Sequence, residues 1–196
     1  MSTERRPLRQ RGLTLIELIM FIVIVSVAVV GILGVMSYTT GRSADPMIQK
    51  QALAIAESLL EEVELQPFTY CDPDDVNATT ATVAAVAANG CAATVQGLGP
   101  SPNTETRYNA DNPFDNVGDY HGFSMNGIQS LVGGTPIGGL ENYNATVTIT
   151  NEAIGPSGAN VPAADSLRID VRVTGPGGTD ITLTGYRARY APRAVP

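Results

Sequence analysis

The sequence predicts an α+β fold in which one long N-terminal helix packs against a C-terminal antiparallel β-sheet. Three observations predict it. An apolar run occupies residues 13–35, apolar residues then recur at spacings of three and four over residues 47–65, and two later stretches alternate apolar and polar residues. A long apolar run and a spacing of three and four are typical of helices, whereas strict alternation is typical of half-buried strands.

Residues 1–12 form a polar leader that contains four arginines and ends at Gly12. The membrane segment, residues 13–42, follows, and up to Val35 its one ionisable side chain is that of Glu17. As a helix with a rise of about 1.5 Å per residue, residues 13–35 reach about 35 Å, which is enough to cross a hydrocarbon core of about 30 Å. The basic leader predicts a cytoplasmic N-terminus and an exported globular domain, residues 43–196.

The residues around Gly12 differ from an ordinary secretory signal, because the small residue precedes the apolar run instead of following it. The stretch Gly-Leu-Thr-Leu-Ile-Glu-Leu, residues 12–18, resembles the processing site of type IV prepilins and pseudopilins. The resemblance implies that a prepilin peptidase cleaves after Gly12 and that the new N-terminus, Leu13, is N-methylated. It also implies insertion in inner-membrane lipid, assembly with other pilin subunits on an inner-membrane pilus platform, and a pilin-like fold.

Glu17 is the fifth residue after the predicted cleavage site, which is the position of a glutamate in that family. A carboxylate in hydrocarbon costs a few kcal/mol and usually has a partner or a purpose. The resemblance implies that its partner is the free N-terminus of a neighbouring subunit, so we expect Glu17 to act in assembly. The alternative is an ordinary single-pass anchor that tolerates an interfacial glutamate.

The second half of the long helix is predicted to be amphipathic. Pro46 predicts a kink or break after residue 42, and helix resumes over about residues 47–65. The apolar stripe consists of Ile48, Ala52, Ile55, Ala56, Leu59 and Val63. Polar residues, Glu62 among them, take the other face, and Pro67 ends the segment. We expect the stripe to cover one face of the sheet.

Residues 68–143 form a loop region in which the pattern is weaker. The Thr/Ala/Val stretch at 78–88 favours a short helix over a strand, turn-forming residues predict loop over 97–116, and short strands are expected within 120–128 and at 131–132.

The β-sheet is predicted over about residues 144–190. Alternation over residues 145–150 and 167–173 predicts two half-buried strands. In a third strand, residues 180–190, the apolar residues change face at Gly185, which predicts a β-bulge there.

The two cysteines, Cys71 and Cys91, both follow the membrane segment. Export would place them in an oxidising compartment, where disulfides persist. In the chain-entropy model, closing a loop of about 20 residues contributes on the order of 3 kcal/mol. We therefore predict a Cys71–Cys91 disulfide, with two free buried thiols as the alternative.

No group of residues in the sequence resembles a catalytic constellation, so we expect no enzymatic activity. His121 is the only histidine, and with two cysteines it makes too few ligands for a four-ligand zinc site of Cys and His alone. The net charge is −7 and Lys50 is the only lysine. That balance argues against a nucleic-acid partner, which requires clustered basic residues.

Two groups of aspartates are candidate Ca²⁺ ligands, because calcium prefers oxygen-rich loops. They are Asp72, Asp74 and Asp75 and, further along, Asp111, Asp115 and Asp119. Neither group has the alternating spacing of a helix–loop–helix calcium site, and aspartate is common in plain turns. Some pseudopilins, the family resembled above, bind calcium in such loops. We predict no cofactor and keep calcium at the second group as the alternative.

A second resemblance concerns the globular domain. Residues 45–57, 59–63 and 67–73 (Pro-Phe-Thr-Tyr-Cys-Asp-Pro), with 115–123 (Asp-Asn-Val-Gly-Asp-Tyr-His-Gly-Phe), resemble MshD-type minor pilins of mannose-sensitive haemagglutinin pili. The resemblance implies a low-abundance subunit that initiates, caps or modulates a pilus and reaches the bacterial surface. Two alternatives stay open: a pseudopilin of a type II secretion system, and a ligand-binding tip adhesin.

Overall fold

The computed structural model describes residues 14–190, 193 and 195, apart from the side chains of residues 39–45. One long helix, α1 (Leu15–Leu65), precedes four strands, as the predicted α+β fold requires. The strands are β1 (Ser124–Asn126), β2 (Asn144–Asn151), β3 (Ser166–Gly175) and β4 (Thr179–Ala188). The chain divides into two units, Met1–Pro46 and Met47–Pro196, the second of which we call the globular unit.

Helix α1 includes Pro46, so the break predicted after residue 42 does not occur. Proline has no N–H to donate to the carbonyl four residues earlier, and it usually kinks or ends a helix. In a helix of 51 residues the missing bond is one local loss, and the backbone stays helical on both sides of the proline. The helix ends at Leu65, before Pro67, as the sequence predicts.

The core of the globular unit lies between the predicted stripe of α1 and one face of the sheet. Ala52, Ala56, Leu59 and Val63 are buried, and Ile48 and Ile55 pack partly buried against the same core. From β2 and β3 the buried side chains are those of Ala145, Val147, Ile149, Leu167, Ile169, Val171 and Val173. These are the alternate residues that the period of two assigns to one face.

The sheet is an antiparallel meander with the strand order β1-β2-β3-β4. Ile149 of β2 lies opposite Ile169 of β3, and Val173 of β3 lies opposite Ile181 of β4. Strand β1 falls inside the stretch 120–128 where a short strand was expected, whereas residues 131–132 form a turn.

The bulge predicted at Gly185 is wrong. The pairing of β3 with β4 keeps one register from Gly175↔Thr179 to Ser166↔Ala188, and Gly185 pairs with Ile169 in the normal way. A Cβ at position 185 would collide with the carboxylate of Glu64 and lie 2.9 Å from a methyl group of Leu60. Gly185 therefore faces α1, and the strand carries glycine because the helix approaches its backbone closely.

Residues 78–88 contain neither the predicted helix nor a strand. They form turns that the backbone closes on itself, with Thr82 N–H donating to Asn89 (2.8 Å) and Cys91 N–H to Ala85 (2.8 Å). The disulfide between Cys71 and Cys91, which was predicted, fixes the end of this segment. Because these backbone N–H groups donate to carbonyl groups across the turns, they do not form the i to i−4 bonds that a helix needs. Residues 97–116 are loop, as predicted.

A buried ion pair joins α1 to the loop region. The guanidinium group of Arg107 donates from Nε (2.7 Å) and Nη2 (2.6 Å) to the two carboxylate oxygens of Glu62. The Tyr120 hydroxyl donates to the same carboxylate at 2.8 Å. The side chains of Arg107 and Glu62 are 6% and 18% exposed. The sequence places Glu62 on the polar face of the helix, and at this residue the loop region covers that face and buries the carboxylate against Arg107.

Arg107→Ala should lower the free energy of unfolding by about 3–5 kcal/mol, because it leaves the Glu62 carboxylate buried without its counter-ion. Urea unfolding of the full chain in detergent measures the change. The matched control is Arg172→Ala: its bond to Asp180 is equally short (2.5 Å), but the two side chains are 57% and 47% exposed. We expect a clearly smaller loss, because water and salt screen an exposed pair. Equal losses in the two variants would contradict the structural importance of the buried pair.

Candidate functional site

The predicted processing site, Gly12 and Leu13, lies outside the described residues, so cleavage and methylation there stay predictions. The described backbone begins at Thr14, whose carbonyl accepts hydrogen bonds from the N–H groups of Glu17 (3.1 Å) and Leu18 (3.2 Å). The first turn of α1 is therefore formed by residues 14–18, a short distance after the predicted cleavage site.

Glu17 lies in that first turn and its side chain is exposed. A carboxylate at a helix N-terminus is favoured by the helix dipole, which carries a partial positive charge there. Among the described residues, no basic side chain forms a salt bridge with Glu17. The Glu17 carboxylate is therefore accessible to a positively charged group of another molecule.

The apolar part of α1 is long enough and apolar enough to cross a membrane. Residues Leu15–Tyr38 form a stretch of 24 residues with a mean hydropathy of 3.1, and all of its side chains are exposed. Ser26, in the middle of the stretch, donates its hydroxyl to the carbonyl of Ile22 (2.7 Å), so that polar group is satisfied within the helix. This segment fits a single-pass membrane anchor.

In the globular unit, carboxylates from both predicted groups of aspartates and from a third stretch meet. The oxygens of Asp72, Asp74 and Asp115 lie within 4.8 Å of one another, and so do those of Glu105, Asp115 and Asp119. Asp115 belongs to both sets and therefore links them. We call these five residues the acidic cluster. Asp111, which the sequence grouped with Asp115 and Asp119, is exposed and lies outside both sets.

A short 3₁₀ helix, Val117–Tyr120, positions Asp115 and Asp119. The Asp119 carboxylate accepts hydrogen bonds from the backbone N–H of Asn116 (2.7 Å) and from the side-chain amide of Gln96 (2.7 Å). Asn116 in turn caps the helix by accepting from Gly118 N–H at 3.0 Å. Gly118 is required here because a Cβ would collide with the carbonyl of Gly97.

Asn116 and Val117 also join this 3₁₀ helix to the segment that carries the disulfide. The Asn116 side chain donates to the hydroxyl of Thr69 (2.7 Å), which donates to the carbonyl of Cys71 (2.6 Å). The backbone N–H of Val117 donates to the carbonyl of Pro67 at 3.1 Å. Asp72 and Asp119, 47 residues apart in the sequence, are brought together by these bonds.

Asp75 has a structural role instead. Its carboxylate accepts hydrogen bonds from the backbone N–H groups of Ala92 (2.9 Å), Ala93 (2.8 Å), Thr94 (2.8 Å) and Asn77 (2.9 Å). Burial works to raise the pKa of Asp75, but these four donors outweigh it and hold the pKa below its ordinary value. Asp75 thus fixes the residues that follow Cys91.

Burial and mutual repulsion raise the pKa values of the buried acidic residues. Burial first, and then the charges of Asp119 and Asp72, raise the pKa of Asp115 to about 7. The pKa of Glu105 is raised by burial and by the charges of Asp119, Asp115 and Asp72. Burial also raises the pKa values of Asp72 and Asp119. Each of these raised pKa values means that the folded state disfavours the ionised form of that carboxyl group.

Sequence reasoning missed Glu105. It lies in a loop without periodic pattern, 14 residues before Asp119, and no spacing rule links it to either group of aspartates. His121, the only histidine, uses its Nδ1 to accept a hydrogen bond from the backbone N–H of Ile149 at 3.1 Å. That contact gives the ring a structural role at the end of the sheet.

Comparison with known proteins gives one match, at the N-terminus. Residues 7–33 match the family model described as the prokaryotic N-terminal methylation motif. No curated protein matches the chain. No solved structure matches it.

The matched segment spans the predicted cleavage site, Glu17 and most of the apolar stretch. Together with the membrane-length helix and the helix-on-sheet domain, this motif supports a type IV pilin- or pseudopilin-like protein. A motif of this kind implies processing by a prepilin peptidase and assembly with other pilins.

In the presence of a chelator, the free energy of unfolding should fall as the pH rises from about 5 to about 8. The pKa of Asp115 is about 7 in the folded state and close to 4 in an unfolded chain. The folded state therefore binds more protons in this window, and stability is lost as they leave. Asp115→Asn should flatten this dependence, which urea unfolding at several pH values measures. A wild-type stability that rises over the window would contradict the prediction.

Proposed function

We propose that the chain is a minor pilin, anchored in the bacterial inner membrane and assembled through its N-terminal helix into a type IV pilus. The observation that carries the proposal is the methylation motif at residues 7–33. It overlaps the exposed apolar stretch of 24 residues with which α1 begins. A subunit with such a helix can leave the bilayer only for another apolar environment, and a bundle of like helices provides one.

Assembly requires Glu17 in this proposal. Cleavage after Gly12 creates a free amino group at Leu13, and a neighbouring subunit can bring that group to the exposed Glu17 carboxylate. The pairing neutralises two charges that would otherwise each be costly in an apolar environment. The orientation follows from the arginine-rich leader, which keeps the N-terminus cytoplasmic and places the globular unit in the periplasm.

The assignment to minor pilins rests on the four stretches that resemble MshD-type subunits, residues 45–57, 59–63, 67–73 and 115–123. In the fold, the stretch at 67–73 and the stretch at 115–123 lie side by side, joined by the bonds of Val117 to Pro67 and of Asn116 to Thr69. Two of the four stretches therefore form one structural feature of the globular unit, and the other two lie in α1. We infer a subunit of low abundance that initiates, caps or modulates the filament.

Processing is tested by Gly12→Val, which should leave the leader attached because a branched side chain replaces the small residue at the cleavage site. Mass spectrometry of the membrane-bound wild type should find an N-methylated Leu13 as the first residue. Filament-incorporated wild-type protein that still begins at Met1 would refute the processing step.

Glu17→Ala should be cleaved and inserted normally, since removing a charge makes insertion easier. Its incorporation into sheared filaments, normalised to the membrane pool, should fall well below that of the wild type, because an unpaired amino group costs about 3–5 kcal/mol in an apolar environment. The control is Ser26→Ala, which removes a polar group that is already satisfied within the same segment. Equal incorporation of Glu17→Ala and wild type would show that the glutamate is only tolerated.

Deletion of the gene separates a pilus from a secretion filament. We expect the number or length of surface pili in electron micrographs to change, while the amounts of secreted proteins stay the same. Normal pili together with lost protein secretion would assign the chain to the pseudopilins instead.

A further inference from the structure

The acidic cluster contains buried carboxylates that lack any hydrogen-bond partner. Glu105 is 3% exposed, and both of its carboxylate oxygens are without a donor among the described residues. One oxygen each of Asp72 and Asp115 is in the same situation. Native proteins pair buried polar groups almost without exception, so this concentration of unpaired carboxylate oxygens points to a partner from outside the protein.

No described side chain supplies that partner. The nearest basic residue in sequence, Arg107, is bound to Glu62, and none of the salt bridges among the described residues involves Asp72, Glu105, Asp115 or Asp119. The oxygens nevertheless lie close together, within 4.8 Å inside each set that shares Asp115. That spacing fits several oxygens bound to one ion, because ligands at about 2.3–2.6 Å from a common centre lie at most about 5 Å apart.

We propose that Asp72, Glu105, Asp115 and Asp119 hold a Ca²⁺ ion. The donor set is made of oxygen alone, since both cysteines form the disulfide and His121 is bonded to the sheet. Calcium accepts six to eight oxygen ligands in irregular geometry, whereas Mg²⁺ demands a near-octahedral shell and keeps several waters. Gln96, whose amide already donates to Asp119, has a buried oxygen without a partner and is a candidate neutral ligand.

The ion would bind three chain segments that are distant in sequence. Asp72 follows the disulfide, Glu105 comes from the long loop, and Asp119 lies in the 3₁₀ helix. The exposed Asp74 lies beside Asp72 and Asp115 and marks the side from which an ion can enter. The role of the ion is to hold the loop region together, and it does not depend on whether the chain serves a pilus or another filament.

The test is isothermal titration calorimetry and thermal unfolding of the full chain in detergent, stripped with EDTA and then titrated with CaCl₂ or MgCl₂ near neutral pH. We expect one Ca²⁺ per chain and a melting temperature that rises with Ca²⁺ concentration, as binding to the folded state alone requires. Mg²⁺ should produce a clearly smaller rise. No binding of Ca²⁺ up to about 5 mM, which exceeds the dissociation constants of weak extracellular calcium sites, would overturn the proposal.

Glu105→Gln distinguishes a bound ion from a proton shared between Asp72 and Glu105. The variant keeps the shape of the side chain and removes one charge, so it should melt higher than wild type in EDTA and should bind Ca²⁺ at least about tenfold more weakly. Asp111→Asn removes an exposed aspartate outside the cluster and should respond to Ca²⁺ like wild type. A Ca²⁺ response that Glu105→Gln leaves unchanged would place the ion elsewhere and overturn the site, as would an equal response to Mg²⁺.

Discussion

The apolar contact between the second half of α1 and the sheet is the interaction on which the globular unit depends. An antiparallel sheet with one apolar face needs a cover. Ala52, Ala56, Leu59 and Val63 supply it with side chains spaced by three and four residues. The two small alanines and the glycine at position 185 all allow close approach, and adding a side chain at that glycine would collide with the helix. Helix and sheet therefore fix each other's position through this close contact.

The loop region contributes Phe68, Phe114, Val117 and Tyr120 to the same apolar core and is held by polar interactions as well. Arg107 is anchored on Glu62 of the helix, Asp75 gathers four backbone N–H groups, and the disulfide ties the two ends of one loop. Around the disulfide the separate apolar cluster is small and consists of Cys71, Ala78, Ala81 and Cys91. In that segment, hydrogen bonds to backbone groups therefore contribute more than buried apolar area does.

This difference explains what could be predicted from the sequence. The stripe of α1 and strands β2 and β3 were predictable because burial on one face imposes a period, and the disulfide because the chain has two cysteines. The Glu62–Arg107 pair and the position of Glu105 leave no such trace, since the partners are 45 residues apart in the first case and no period connects them. At Gly185 the sequence pattern gave the wrong prediction. A glycine in place of an apolar residue can mark an inserted residue in a strand, but it can also mark a close contact with a helix, and here it marks the contact.

The exposed apolar surface of residues Leu15–Tyr38 has an energetic consequence for any movement of the subunit. Each leucine, isoleucine, valine or phenylalanine transferred from an apolar medium to water costs about 1.5–3 kcal/mol. Summed over the segment, that exceeds the roughly 5–15 kcal/mol that keeps a typical domain folded. Moving the segment into water would therefore cost more free energy than unfolding the globular unit does, so release from one apolar environment is favourable only where another apolar surface replaces it.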